Sequence, residues 1–312
     1  MRLTRVLATA GRIVRALFAC LLLAPLYAQA ARVTVVLSND TAPYQEVYQV
    51  VSAMLDDTGH ELNRQYVASL NAATLNEARL VVAVGTAAAD AVAAHPGRAP
   101  VLAVLVPRMW FHRGGQARLV DGGRRSASAI YLDQPFERQA QLIRLAFPEV
   151  HRVGVLLSTD QSGLVDDIEA ALRTQKLALV PALVGEGERL ATLLEGVLTE
   201  ADLLLAVPDP LVWNANTAQS LLLTSYRYRD PVVGYSRSLT RAGALLSLHS
   251  SPAQIGRQAA EWVLNAASGP ARWPAPSYPA YFSVSINEQV ARSLGYVVPT
   301  AEELERRMGG ER

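Results

Sequence analysis

Side chains that could perform catalysis or bind a metal are scattered along this sequence. Its five histidines are scattered, with no His-x-x-His motif and no pairing with acidic residues at metal-ligand spacing. The segment Gly234–Ser238 (GYSRS) is similar to the nucleophile turn of α/β hydrolases, but Ser238 replaces the closing glycine. No glycine-rich phosphate loop ending in Lys-Ser or Lys-Thr is present. We therefore predict a protein that is not an enzyme and needs no metal or cofactor, with a hydrolase as the minor alternative.

Short polar side chains instead recur where apolar runs of the sequence end. Ligands of open parallel sheets bind beyond the carboxyl ends of the strands, so these positions are candidates for ligand contact. The candidates are Ser38, Asn39, Asp40, Gly85, Thr86, Arg108, Ser158, Asp160, Asp209, Ser236 and Arg237. Taken singly, residues such as Asp40, Thr86 and Asp209 have the more ordinary explanation of capping a helix N-terminus. The binding interpretation depends on the recurrence of the pattern.

Aromatic and arginine side chains extend this candidate site. Tyr44, Trp213 and Tyr235 lie near the same strand ends and could stack against a ring or a sugar face, although core or rim packing is the alternative for each. Arg108 and Arg237 could hold a carboxylate through paired hydrogen bonds, or could be solvated surface residues. The residue types therefore favour a small polar or aromatic ligand.

The elements that must position these residues are those of an α/β fold with parallel sheets. Short apolar, β-branched runs alternate with amphipathic stretches, which is the pattern of strands covered by helices on both faces. The predicted strands are Val33–Leu37, Leu80–Val84, Val101–Leu105, Ser128–Tyr131, Arg152–Leu157, Leu177–Val184, Leu203–Val207, Val232–Tyr235 and Ala244–Leu248. The predicted helices are Tyr44–Thr58, Thr86–Ala94, Pro135–Phe147, Leu164–Lys176, Arg189–Glu200, Trp213–Arg227 and Ala253–Ala267. Because the alternation occurs twice, before and after the turn at Pro148–His151, we predict two sheets in two lobes.

One stretch of the first series is predicted to lack regular structure. Gly114–Arg125 (GGQARLVDGGRR) is rich in glycine and arginine, a composition typical of loops. We predict a mobile loop there.

The first thirty residues have the parts of a secretory signal peptide. Arginines but no acids precede the apolar run Ala16–Tyr27, and Ala28-Gln29-Ala30 has the small-x-small pattern of a cleavage site. The run is too short for a bilayer span of roughly 20 residues. We predict cleavage after Ala30 and export to the periplasm. Retention as an anchor, or lipidation at Cys20, are the alternatives.

Cleavage would change the composition of the chain. It removes the only cysteine, Cys20, and four of the 29 basic residues but none of the 28 acidic ones, which leaves a formal net charge of −3. This balance argues against nucleic acid as a partner. The remaining residues are numerous enough to build large cores without disulfides.

Four stretches resemble the type I periplasmic substrate-binding proteins, in particular the ABC-transporter group that includes tryptophan- and tyrosine-type binders. They are Val81–Ala89 (VVAVGTAAA), Pro135–Leu157 (PFERQAQLIRLAFPEVHRVGVLL), Arg241–Leu264 (RAGALLSLHSSPAQIGRQAAEWVL) and Ser283–Pro299 (SVSINEQVARSLGYVVP). The resemblance covers most of the exported chain. It implies two Rossmann-like lobes joined by a three-crossing hinge, with cleft-lining loops at Gly85-Thr86, Ser158–Ser162, Asp209 and Ser236.

One segment departs from that family. Val106–Phe111 (VPRMWF) stands where the family usually has D-P-V-x-x-G-L-V after the fourth strand. Because this segment borders the cleft, the identity of the ligand does not carry over from the resemblance.

These observations predict a binding protein with a defined lobe organisation. We expect the N-terminal lobe to contain residues 31–132 and about 249–279, and the C-terminal lobe to contain residues 133–248 and about 280–312. A monomer whose lobes close around a small-molecule ligand would deliver that ligand to an ABC permease. A periplasmic sensor that feeds a membrane signalling protein is the alternative.

Overall fold

The first sheet consists of five parallel strands in the order β2-β1-β3-β4-β5. They are β1 (Arg32–Leu37), β2 (Glu61–Tyr66), β3 (Leu80–Val84), β4 (Val101–Val106) and β5 (Ala127–Tyr131). The strand β2 (ELNRQY) was not predicted, because its polar residues show neither an apolar run nor a regular alternation. It lies at the sheet edge and pairs with β1 from Arg32↔Glu61 to Leu37↔Tyr66, so one of its sides is open to solvent.

This computed structural model describes residues 31–185, 187–267 and 273–310. The predicted signal peptide, its cleavage site and Cys20 lie outside the described residues. Within the described ranges, no helix is long and apolar enough to cross a membrane.

Helices cover both faces of the first sheet, which explains why its inner strands are almost entirely apolar. On one face lie α1 (Ala42–Leu55) and, from much later in the chain, α11 (Pro252–Ala267). Ile255 and Val263 of α11 share a buried core with Val33 and Val47. The other face is covered by α2 (Ala72–Glu77), α3 (Thr86–Ala93), α4 (Arg108–Trp110) with a π-helical turn (Phe111–Gly115), and α5 (Gln116–Val120).

The prediction of a mobile loop at Gly114–Arg125 was wrong. Helix α5 lies within this stretch, and Leu119 is fully buried in the core beneath it. Arg125 is buried too, and its guanidinium donates to the carbonyl oxygens of Leu119 (2.5 Å) and Val92 (3.1 Å). The glycines suggested a loop, but a leucine and a buried arginine anchor the segment.

The second sheet has six strands in the order β11-β10-β9-β8-β6-β7, parallel except for the antiparallel pair β10 and β11. They are β6 (Arg152–Ser158), β7 (Ala178–Val184), β8 (Leu203–Leu205), β9 (Val232–Gly234), β10 (Leu246–His249) and β11 (Ser283–Ile286). The helices of this part of the chain are α6 (Phe136–Ala146), α7 (Leu164–Thr174), α8 (Leu190–Leu198), α9 (Ala218–Tyr228), α10 (Arg237–Ala242), α12 (Glu288–Leu294) and α13 (Ala301–Arg307). Short 3-10 turns lie at Asp56–Thr58, Val67–Ser69 and Thr159–Gln161.

The chain passes between the two sheets three times. It leaves the first sheet after β5, returns from β10 to place α11 on the first core, and then leaves again to form β11. The predicted α/β fold with two lobes and a three-crossing hinge is therefore confirmed. All nine predicted strands coincide with observed ones, and besides β2 only β11 was missed among the described strands.

Candidate ligand-binding site

A cavity of about 480 Å³ lies where the two lobes face each other. Its size is within the range of small-molecule sites, roughly 300–1,000 Å³. Both lobes and the crossing segments contribute to its wall. Its wall includes Glu46, Arg108, Asp133, Gln134, Phe136, Gln161, Tyr235, Ser236, Arg237, Arg241, His249, Ser250 and Tyr278.

Four of the predicted site residues line this cavity: Arg108, Tyr235, Ser236 and Arg237. Arg108 begins α4 directly after β4, and Tyr235 to Arg237 follow β9, so the carboxyl ends of strands from both sheets reach the cavity. The Ser236 Oγ also accepts a hydrogen bond from the backbone N–H of Leu239 (3.2 Å), so this serine caps α10 as well.

The residues predicted to bind ligand after β1 and β3 do not line the cavity. Ser38 and Gly85 instead form a turn beside it. The Ser38 Oγ donates to the Val84 carbonyl (2.8 Å) and accepts from the Ala88 N–H (3.0 Å) at the start of α3. Gly85 has φ of +89°, and a Cβ there would lie 2.5 Å from the Ser38 Oγ and 2.9 Å from the Tyr44 ring. The backbone thus requires glycine at this position. The other predicted residues of this end of the sheet, Asn39, Asp40 and Thr86, are also absent from the cavity wall among the residues described.

Asp209 ties two loops of the second lobe together. One carboxylate oxygen accepts from the Ser158 N–H (2.7 Å) and the other from the Leu211 N–H (2.9 Å), and the residue is only 2% exposed. Trp213, four residues further, is buried in the apolar core. Four predicted residues of this lobe are therefore absent from the cavity wall among the residues described: Asp209, Trp213, Ser158 and Asp160. Gln161 lines the cavity in their place, and its amide donates to the Pro208 carbonyl (3.2 Å).

Gln134 and Ser250, which line the cavity at the hinge crossings, are not among the predicted site residues. The Gln134 side-chain amide donates to the Ser250 Oγ (2.7 Å), and the Ser250 Oγ donates to the Tyr281 carbonyl (2.5 Å). Gln134, Ser250 and Tyr281 belong to the first, second and third crossings, so this hydrogen-bonded chain joins all three. Gln134 and Tyr281 do not directly follow a predicted strand, whereas Ser250 comes directly after β10, as the other strand-end candidates come after their strands.

Burial shifts the pKa of four titratable groups in the cavity wall: those of Asp133, Tyr235 and Tyr278 are raised, and that of His249 is lowered. Burial raises the pKa of Asp133, and the hydrogen bond from the Arg108 N–H (2.6 Å) acts in the opposite direction. Burial, together with the positive charge of Arg237, lowers the pKa of His249 to about 4. The imidazole is therefore neutral at pH 7, and its Nε2 lies 2.8 Å from the Ser285 Oγ.

Two arginines of the segment after β4 reach across to the second lobe. The Arg108 guanidinium pairs with the Asp167 carboxylate on α7 (3.0 Å), and Arg113 donates to the Asp160 carbonyl. These contacts come from the segment that departs from the family pattern, VPRMWF and the residues after it. That segment therefore joins the lobes in addition to bordering the cavity.

The cavity wall offers both polar and aromatic groups to a small molecule. It combines guanidinium, hydroxyl and amide groups with aromatic faces from Phe136, Tyr235 and Tyr278. Within the described ranges no three His, Cys, Asp or Glu side chains are grouped so that they could hold a metal ion.

Two mostly parallel α/β sheets, a cavity between them and three hinge crossings define the class of type I periplasmic substrate-binding proteins. Residues 56–304 match the family of ABC transporter substrate binding proteins, and the chain belongs to that family.

Solved structures support the same fold. An ABC domain from Streptococcus pneumoniae in complex with L-Trp is 17% identical (TM-score 0.57; 89% of this chain and 99% of that chain covered). A conserved domain protein from Vibrio cholerae is 20% identical (TM-score 0.59; 89% and 98% covered). A substrate binding protein with adhesive properties from Clostridium difficile, in its ligand-free, open structure, is 14% identical (TM-score 0.69; 88% and 97% covered). No curated protein matches the chain.

Proposed function

We propose that this protein captures a small polar or aromatic molecule between its two lobes and delivers it to an ABC importer. The observation that carries the proposal is the cavity whose wall is built from both lobes and from the hinge crossings. A ligand there contacts both lobes only when they are closed, so its binding favours the closed state. Membership of the ABC transporter substrate-binding family supports the importer as partner.

The proposed lobes follow the two cores. The N-terminal lobe would contain residues 31–132 and about 249–279, because α11 packs on the first core. The C-terminal lobe would contain residues 133–248 and about 280–312, because Phe282, Val284 and Leu304 pack on the second. Hinge motion would then turn about the segments that hold Gln134, Ser250 and Tyr281.

A thermal-shift screen of amino acids, aromatic acids and small sugars tests the binding function. A ligand at about 100 times its dissociation constant adds about 2.7 kcal/mol to the free energy of unfolding, which gives a clear rise in Tm. Tyr235→Ala removes an aromatic face from the cavity wall and should weaken the hit roughly 5- to 30-fold. Tyr226→Ala is the matched control, because Tyr226 is exposed on α9 and outside the cavity. A screen in which no compound of any class raises Tm would contradict the proposal.

Delivery to an importer is tested in cells. Deletion of the gene should abolish uptake of the identified ligand from the medium, and the wild-type gene should restore it. Uptake that persists together with loss of a ligand-dependent signalling response would favour the sensor instead.

We also propose that the mature protein works in the periplasm and begins at Ala31. Fractionation of cells should place it in the periplasmic extract, and N-terminal sequencing should begin Ala-Arg-Val. An intact N-terminus in the membrane fraction would indicate an uncleaved anchor instead.

A further inference from the structure

Helix α10 carries two arginines, Arg237 and Arg241, on the ridge between two concave surfaces. Both line the cavity between the lobes, and both also line an adjoining open groove of about 440 Å³. Polar side chains of Thr240, Ser285 and Asn287 complete much of that groove. Residues four apart on a helix lie on the same face, so the two arginine side chains start from the same face of α10.

No hydrogen bond or ion pair to either guanidinium group occurs among the residues that the structure describes. Arg108, in the same cavity wall, is by contrast paired with Asp167. Like charges at this spacing destabilise a helix by a few tenths of a kcal/mol. Repulsion between the two arginines therefore lowers the stability of the helix slightly, and a bound anion would remove this repulsion.

Among the described residues, the carboxylates of the surrounding walls form no ion pair with these two arginines. In the groove, Glu288 forms an ion pair with Arg292 (3.2 Å). In the cavity, Asp133 accepts a hydrogen bond from the Arg108 N–H, and Glu46 lies on α1 of the other lobe. Burial is the main cause of the lowered pKa of His249, and the positive charge of Arg237 adds to it.

We propose that the ligand is a small organic acid whose carboxylate is held between Arg237 and Arg241. This inference rests on the proposed function and names the chemical class of the ligand. Guanidinium groups match the planar carboxylate through paired hydrogen bonds. The carbon skeleton packs against the rings of Tyr235 and Tyr278 in the cavity, with neutral His249 as an additional hydrogen-bonding group.

Matched acid and amide pairs test this proposal in the purified protein. The probes are benzoate with benzamide, phenylacetate with phenylacetamide, and nicotinate with nicotinamide, together with L-tryptophan and D-galactose, each titrated by calorimetry. We expect at least one acid to bind and its amide to bind at least tenfold more weakly. Arg237→Gln and Arg241→Gln should each weaken the acid about 10- to 100-fold, the equivalent of losing a hydrogen bond to a charged group.

Two further variants control for charge and folding. Arg173→Gln removes an exposed arginine on α7 that pairs with Glu169 outside both concave surfaces, and should leave the affinity unchanged. Arg241→Lys keeps the charge without the planar fork, and should retain affinity between those of the wild type and Arg241→Gln. Circular dichroism and Tm verify that each variant is folded.

The other outcomes separate this inference from the proposed function. An amide or D-galactose that binds as tightly as every compound with a carboxylate, L-tryptophan included, would overturn the acid proposal and leave the binding function standing. Acid binding that survives in both glutamine variants would place the carboxylate elsewhere and also overturn it. A panel without any bound member would count against both proposals.

Discussion

At the level of single residues, burial and hydrogen-bond partners separate structural carboxylates from those that face the cavity. Asp209 has both oxygens occupied by backbone N–H groups and does not reach the cavity wall. Asp133 accepts one backbone N–H and lines the wall. Both side chains follow apolar runs in the sequence, and only their partners distinguish the two roles.

We expect Asp209→Ala to lower the free energy of unfolding by about 2–4 kcal/mol, because two N–H groups lose their acceptor. Denaturant unfolding measures this change. Asp160→Ala, which removes an exposed carboxylate from the neighbouring loop, should change the free energy by less than about 0.5 kcal/mol. Equal effects of the two substitutions would contradict the structural role assigned to Asp209.

A second carboxylate should make stability depend on pH. Burial and the nearby charge of Asp202 raise the pKa of Asp230 to about 7, and one of its buried oxygens has no hydrogen-bond partner among the described residues. The folded protein holds a proton that the unfolded chain releases near pH 4, so stability falls as the pH rises from about 4 to 7.

Asp230→Asn should remove this loss of stability. The variant should gain on the order of 1–2 kcal/mol over the wild type between pH 5 and 8, a figure reduced for the partial exposure of the group. Unfolding midpoints in urea across this pH range provide the measurement. Asp166→Asn, a substitution at an exposed residue of α7, is the control. A difference between Asp230→Asn and wild type that stays constant with pH would show that the carboxyl does not titrate in this window.

At the level of elements, a single buried arginine holds the segment between α3 and β5 in place. The Arg125 guanidinium donates to the carbonyls of Leu119, Val92 and His95, and so connects the end of α3 with the end of α5. Burial lowers the pKa of this guanidinium, which nevertheless remains charged at neutral pH. A charge buried in this way must keep all of its acceptors to be tolerated.

We expect Arg125→Gln to destabilise this segment selectively. The free energy of unfolding should fall by about 3 kcal/mol, because three carbonyl groups lose a charged donor. Amide hydrogen exchange should accelerate most in residues 116–125. The neighbouring Arg124→Gln removes an exposed arginine whose ion pair with Asp121 spans 3.6 Å, and should leave exchange unchanged. Uniform acceleration over the whole protein would argue against local anchoring.

At the level of the whole molecule, polar contacts join the two lobes. Arg108 pairs with Asp167, and Arg113 reaches the carbonyl of Asp160. The Asp167 side chain is 54% exposed, so its ion pair is screened by salt and contributes about 1 kcal/mol at most. Such an energy changes the ratio of closed to open molecules by up to about fivefold.

Asp167→Asn should therefore shift the ligand-free protein toward the open state. Small-angle X-ray scattering should show a larger radius of gyration, and ligand affinity should fall by up to about fivefold. High salt should reproduce the effect in the wild type. Glu169→Gln breaks the Glu169–Arg173 pair on the same helix without touching the other lobe, and should change neither quantity. An unchanged radius for Asp167→Asn would mean that this pair does not influence closure.

The amino-acid sequence by itself determined the alternation of elements and the division into two sheets. Apolar runs such as β1 and β3 are recognisable because burial on both faces leaves a local signal in composition. Edge strand β2 lacked that signal, because one of its sides is open to solvent.

The tertiary structure alone decided which polar residues face the cavity. Asp209 and Ser38 follow strands, as Arg237 does, but they form hydrogen bonds within their own lobe. Arg241, Asp133 and Ser250 line the wall because the lobes and the hinge crossings bring them there. The physical reason is that the spacing of apolar residues along the chain indicates only which residues are buried. The cavity depends on contacts between residues more than one hundred positions apart, such as Gln134 and Ser250.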